Sequence, residues 1–176
     1  MRLGSTLAVA LILLSLTLGA TLLWANRPFA PLPAGTRADR VVVDKSDREL
    51  LLLAGGRVLR RYPISLGASP RGHKEREGDE RTPEGLYLLD ARNPDSAFHL
   101  SLHVSYPDAE DRRRAAAAGV APGGMIMVHG LPNAFPFLGR LHRLVDWTDG
   151  CIAVTNPEIE QIWAVVPDGT PIEIRP

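Results

Sequence analysis

Cys151 is the one cysteine in the sequence. A lone thiol is either a small buried hydrophobe or a reactive group. Its neighbours are Asp146-Trp147-Thr148-Asp149-Gly150 on one side and Ile152-Ala153-Val154 on the other. Gly150 permits a sharp turn and close approach of a substrate. The apolar run after Cys151 would hold the sulfur at a rigid edge, and backbone N–H groups in such a turn can point at a developing oxyanion. A thiol needs a base or a positive neighbour to become a thiolate near neutral pH. His129 is the best-placed base: it ends the apolar run Met125–Val128 and is followed by Gly130 and a Pro-containing loop, and strand ends beside loops are where side chains reach a cleft. Residue type alone leaves a second reading open, a hydrogen-bonded histidine with a purely structural role.

Other reactive groupings are weaker. His99 and His103 fall on one face of a strand, but four residues of extended chain separate them by roughly 13 Å. That is too far for both to ligate one metal ion, which disfavours a zinc site from this pair. His73 lies in a charged stretch and His142 in the loop Leu131–Trp147. The sequence contains no Cys-x-x-Cys, His-Glu-x-x-His or Gly-x-Ser-x-Gly motif.

The elements that must position Cys151 and His129 read mostly as strands. Arg40–Asp44 and Glu49–Leu53 are short apolar runs split by Lys45-Ser46-Asp47-Arg48, a hairpin pattern. Gly55-Gly56 turns the chain into a strand over Val58–Leu66, and Gly85–Leu89 is another. Phe98, Leu100, Leu102, Val104 and Tyr106 alternate with His99, Ser101, His103 and Ser105, which predicts one buried and one polar face. Met125–Val128 and Pro171–Ile174 complete the strands. Helices are expected over Asp108–Ala118, between Pro107 and Gly119, and over Asn156–Val166, with Asn156 as cap and Pro157 in the first turn. Arg71–Arg81 is a polar, mixed-charge loop that reads equally well as a solvated surface turn. Leu131–Trp147 returns the chain toward Cys151 and could form a lid.

The N-terminus is of another kind. Leu3–Ala25 contains no charged residue, and about twenty apolar residues suffice to cross a bilayer. Arg2 and the α-amino group are basic flanks that would keep the start in the cytoplasm. Leu18-Gly19-Ala20 is a poor cleavage site, so an uncleaved anchor is preferred to a signal peptide, and the lack of a polar stripe argues against a buried core helix. Residues 1–25 are thus an anchor or signal segment. Residues 26–39, with Pro28, Pro31, Pro33 and Gly35, read as a stiff extended linker, and residues 40–176 as one domain. Twenty basic residues balance twenty acidic ones, a total that gives no footprint for nucleic acid.

Met127-Val128-His129-Gly130 followed by Thr148-Asp149-Gly150-Cys151-Ile152 resembles the signature of the L,D-transpeptidase catalytic domain, also called YkuD-like. Gly78-Asp79-Glu80-Arg81-Thr82-Pro83-Glu84-Gly85 and Leu102–Pro107 resemble it as well. The resemblance implies a mainly β sandwich or barrel-like sheet with a cleft under a lid. It implies Cys151 as nucleophile, His129 as general base, and the backbone of Gly150 and Cys151 as oxyanion donors, with Gly130, Thr148 and Asp149 as neighbours. It implies cross-linking of peptidoglycan stem peptides through a thioester and without metal or organic cofactor, and either membrane reading of the N-terminal segment puts the domain outside the cytoplasm. Many members carry His where this chain has Asp149, and Arg or Asn where it has Ala153. A carboxylate beside a thiol raises its pKa unless turned away or paired. These departures motivate two alternatives: a carboxypeptidase or endopeptidase that uses water as acceptor, and a non-catalytic wall-binding module. Arg140 and Arg143 could replace the missing substrate contact, against the plainer reading that they are solvated loop charges.

Overall fold

The structure, a computed structural model, describes residues 2–27 and 30–176, with residues 2–7 described by their backbone alone. Met1, the side chain of Arg2 and Pro28 of the expected linker lie outside the described residues. A long helix α1 (Arg2–Ala25) precedes a mainly β domain with two further helices, α2 (Ala109–Ala117) and α3 (Asn156–Val165).

Eight strands form one sheet: β1 (Arg40–Asp44), β2 (Glu49–Ala54), β3 (Arg57–Pro63), β4 (Gly85–Ser96), β5 (His99–Val104), β6 (Met127–His129), β7 (Ile152–Ala153) and β8 (Thr170–Arg175). Their order is β3-β2-β1-β8-β4-β5-β6-β7. The expected hairpin is present, with β1 and β2 antiparallel and Asp44 opposite Glu49. Past β3, Ser65 bridges Ala153 of β7. The sheet therefore curls until its two ends approach one another, a half-barrel whose concave side holds the core. β1 lies inside the sheet, parallel to β8, and all of Val41, Val42 and Val43 are buried, as a strand covered on both faces requires. In β2 and β8 only alternate residues are buried, Leu50 and Leu52, then Ile172 and Ile174. Val128, Ile152, Ile159 and Ile162 bring β6, β7 and α3 into the same core.

Three elements depart from expectation. β4 runs to Ser96 rather than stopping at Leu89; its second half is polar, and it is held by antiparallel pairing with β5 through two register shifts. β6 begins at Met127 because Met125 takes a left-handed φ of 56° and turns outward. On β5, Leu102 and Val104 are buried as predicted, but so is Ser101, whose register partner is His129. The face read as solvent-exposed is at that point the floor of a cleft. The helices follow expectation more closely. Asp108 caps α2, its carboxylate accepting the N–H groups of Glu110 and Asp111. The cap of α3 is Thr155, one residue before the expected Asn156, and Glu158 Oε2 accepts the Thr155 N–H at 2.8 Å. Asn156 Oδ1 accepts the Leu131 N–H instead, at 2.8 Å.

The segment read as a free linker is laid along the domain. The Ala38 N–H donates to Val165 O at 2.8 Å, Gln161 Nε2 donates to Ala30 O at 3.4 Å, and Leu32 packs on the core. The loop read as a lid forms 3₁₀ turns over Pro136–Leu144, kinked at Gly139, and this stretch docks on the C-terminal end of α1.

Candidate active site

Strand β7 runs parallel to β6, with Val128 opposite Ile152 and His129 opposite Ala153. Cys151 lies one residue before β7, so it sits two positions from the partner of His129 on the neighbouring strand. With strands about 4.8 Å apart and side chains of alternate residues on one face, this places imidazole and thiol on the same side of the sheet. Both line a cavity of about 410 Å³. The remaining lining includes Phe98, Ser101, Met125, Trp147, Thr148 and Asp149.

The turn that presents the sulfur is closed by Thr148. Its buried hydroxyl donates to Cys151 O at 2.7 Å and accepts the Gly150 N–H at 3.2 Å. Gly150 has φ 120°, and a Cβ there would stand 2.5 Å from Arg81 O. Only glycine fits, because the turn is pressed against the backbone of the 71–81 loop. That loop is not a solvated turn. Lys74 and Asp79 form a buried ion pair at 2.7 Å. The Asp79 carboxyl also collects the N–H groups of Glu75, Arg76 and Arg81. Burial opposes its ionisation, but these bonds win and hold its pKa at about 2.

Cys151 is half-buried. Its Sγ lies 3.6 Å from Met125 O. Burial pushes the thiol pKa up and the Asp149 carboxylate pushes the same way, against the Met127 backbone and the Lys74 charge. His129 is buried against two aromatic rings that also meet each other, its centroid 4.5 Å from Phe98 and 5.8 Å from Trp147. This apolar sleeve holds its pKa down, at about 4, although the bond to Gly130 acts in the other direction. Nδ1 lies 2.6 Å from Gly130 O. A carbonyl only accepts, so Nδ1 carries the proton and Nε2 is left as the basic nitrogen. The Gly130 N–H in turn donates to Phe98 O at 3.1 Å. The resting pair is therefore a neutral thiol beside a neutral imidazole.

Cys151, His129, Thr148 and Asp149 thus meet at one cleft, with Gly150 and Gly130 shaping its backbone. Arg140 and Arg143 do not line it. Arg140 donates to Trp24 O and Arg27 O at 3.1 and 2.9 Å, and Arg143 is paired with the buried Glu158. Ala153 is fully buried, bonded through its backbone to Ser65, so a substrate cannot reach it directly. His99 and His103 are paired with Glu160 and Asp90 and do not line the cavity. Sequence reasoning passed over Phe98, Trp147 and Lys74. Trp147 adjoins the cysteine motif and could have been suspected; nothing in the sequence pattern separates Lys74 from its charged neighbours.

The molecule is thus a half-barrel sheet whose strands β6 and β7 bring a histidine and a cysteine to one cleft, and the chain matches the family model of the L,D-transpeptidase catalytic domain over residues 38–174. It belongs to that family, whose members act on peptidoglycan. Among curated proteins it is 28% identical over 107 residues to the Escherichia coli protein described as "Putative L,D-transpeptidase YafK". That match covers 60% of this chain and 36% of the relative, so the chain spans about a third of the protein it resembles. Among solved structures, the helical cell shape determining protein Pgp2 of Campylobacter jejuni is 25% identical with a TM-score of 0.58, covering 88% of this chain and 53% of that one. An L,D-transpeptidase from Xylanimonas cellulosilytica, 18% identical with a TM-score of 0.50 over 84% of this chain and 65% of its own, shares the fold.

Proposed function

We propose that this chain performs cysteine-dependent acyl transfer on peptidoglycan stem peptides, held at the outer face of a membrane by α1. The observation that carries the reading is the shared cavity of Cys151 and His129 on adjacent parallel strands. As Sγ attacks the amide carbonyl, His129 Nε2 takes the thiol proton, and the negative charge moves to the carbonyl oxygen. The Gly150 N–H is already given to Thr148 Oγ1, so the Cys151 N–H is the better oxyanion donor of the two. Collapse breaks the C–N bond, the imidazolium returns the proton to the leaving amine, and a thioester remains on Cys151. An amine of a second stem, deprotonated by His129, then attacks the thioester and regenerates the thiol, giving a cross-link. Phe98 and Trp147 exclude water from the imidazole and keep it neutral until the proton arrives.

A second reading, hydrolysis of the same thioester, draws on Asp149 and Ala153. The carboxylate at the cleft mouth and the sealed alanine leave no basic or amide side chain at either position to hold an acceptor stem. Incubation with purified tetrapeptide muropeptides and an amine acceptor, followed by mass analysis, separates the two. Transpeptidation predicts cross-linked dimer as the main product, hydrolysis predicts tripeptide alone, and an unchanged substrate defeats both.

A further inference from the structure

The turn opposite the cleft end of the 131–147 loop has no role in the chemistry above, and it is built against the exit of α1. A Cβ on Gly139 would stand 2.3 Å from Ala25 O, so the loop backbone touches the last residue of the helix. Asn26 Nδ2 donates to Phe137 O at 2.9 Å. Arg140 donates to the carbonyls of Trp24 and Arg27 and lies 5.8 Å from the Trp24 ring centroid. A cation at a helix C-terminus satisfies carbonyls that have no partner within the helix and complements its dipole. Helix and turn are thereby one body.

The surface around this junction is apolar and open. Phe135 and Phe137 meet edge-to-face at 6.2 Å, and both are more than half exposed, as are Leu23 and Trp24. Single exposed hydrophobics are ordinary, but a contiguous group marks a contact surface. Residues 131–145 carry no acidic residue; of their cations, Arg143 is paired with Glu158 and His142 is buried, while Arg140 lies at the junction with α1. Ala8–Ala25 is long and apolar enough to span a bilayer and is almost wholly uncovered by protein.

We propose that this turn is a membrane seat: Phe135 and Phe137 enter the interfacial layer of a phospholipid bilayer beside the point where α1 emerges, with Trp24 at the same depth. Aromatic rings favour that layer, and Arg140, at the junction itself, suits its anionic headgroups. The catalytic domain is then held in a fixed pose on the membrane rather than swinging on a tether. The inference rests on the proposed reading of α1 as an anchor.

The test uses the full chain with Cys151→Ala, reconstituted in nanodiscs of phosphatidylethanolamine and phosphatidylglycerol. A nitroxide is attached at Phe137→Cys and its collisions with oxygen and with a water-soluble nickel chelate are measured. Leu14→Cys in α1 and Arg113→Cys in α2 give the lipid and aqueous references. The seat predicts an oxygen-to-nickel ratio at 137 well above that at 113. An aqueous ratio at 137 with a lipidic one at 14 overturns the seat and leaves the anchor standing. Aqueous ratios at both overturn both. Shielding at 137 from both reagents, with spin–spin broadening, means a second copy covers the patch and also overturns it. Phe135→Cys repeats the measurement independently should Phe137→Cys fail to fold.

Discussion

At the scale of single residues, the neutral resting state of the Cys151–His129 pair sets the pH behaviour. Burial in the aromatic sleeve keeps His129 unprotonated down to about pH 4, and burial with Asp149 keeps the thiol protonated at neutral pH. The base is therefore available through the whole neutral range. The acid limb of kcat/KM for stem cleavage is expected near pH 4, not near the ordinary histidine value of 6.5. A limb near 6.5 would show that the histidine is solvated in solution. Asp149 offers a separate check. Asp149→Asn removes a charge that disfavours the thiolate, so alkylation of Cys151 by iodoacetamide at fixed neutral pH should speed up severalfold; an unchanged rate would mean that the carboxylate does not act on the sulfur. Cys151 and His129 were both singled out in the sequence, by residue type and by the motif resemblance. The sleeve was not, because Phe98 and Trp147 converge only through the β5–β6 pairing and the return of the loop.

At the scale of elements, the 131–147 loop joins α3 through Arg143 and Glu158, a pair whose acidic partner is fully buried. Removing one member of a buried pair strands the other, at a cost of about 3–5 kcal/mol. Arg143→Ala should lower the unfolding free energy in urea by about that much, and a change below about 1 kcal/mol would mean that the pair is solvated in solution. The hairpin β1–β2 and both helices were legible because each rests on local signals: alternation, turn residues and caps. The second half of β4 was not, since Asp90–Ser96 has no apolar period and owes its strand form to pairing with β5. The 71–81 loop misleads for a related reason. Its charges look solvated one by one, yet Lys74 and Asp79 neutralise each other beneath the surface and let the loop backbone brace Gly150.

At the scale of the whole molecule, the fold works by curling one sheet so that β7, at the end of the strand order, lies against β6 and is bridged by the chain after β3. This long-range closure places Cys151 beside a histidine 22 positions earlier in the sequence. No local pattern announces it: residue type and position made His129 only the best-placed candidate, and the family resemblance joined it to Cys151. Residues 30–39 also escaped sequence reasoning. Prolines suggest an extended tether, but the segment turns at Ala34-Gly35, and α3 and the core supply the partners that hold it down. The central claim for the molecule is that this closure makes one catalytic unit of the two residues. Intact-protein mass spectrometry with peptide mapping, after brief exposure of the full chain to a tetrapeptide stem, tests it most directly. A stem-derived acyl adduct is expected on Cys151 in the wild type, none in Cys151→Ala, and accumulation slowed by roughly 10²- to 10⁴-fold in His129→Ala. An adduct on another residue, or stem turnover that survives in Cys151→Ala, would contradict the claim.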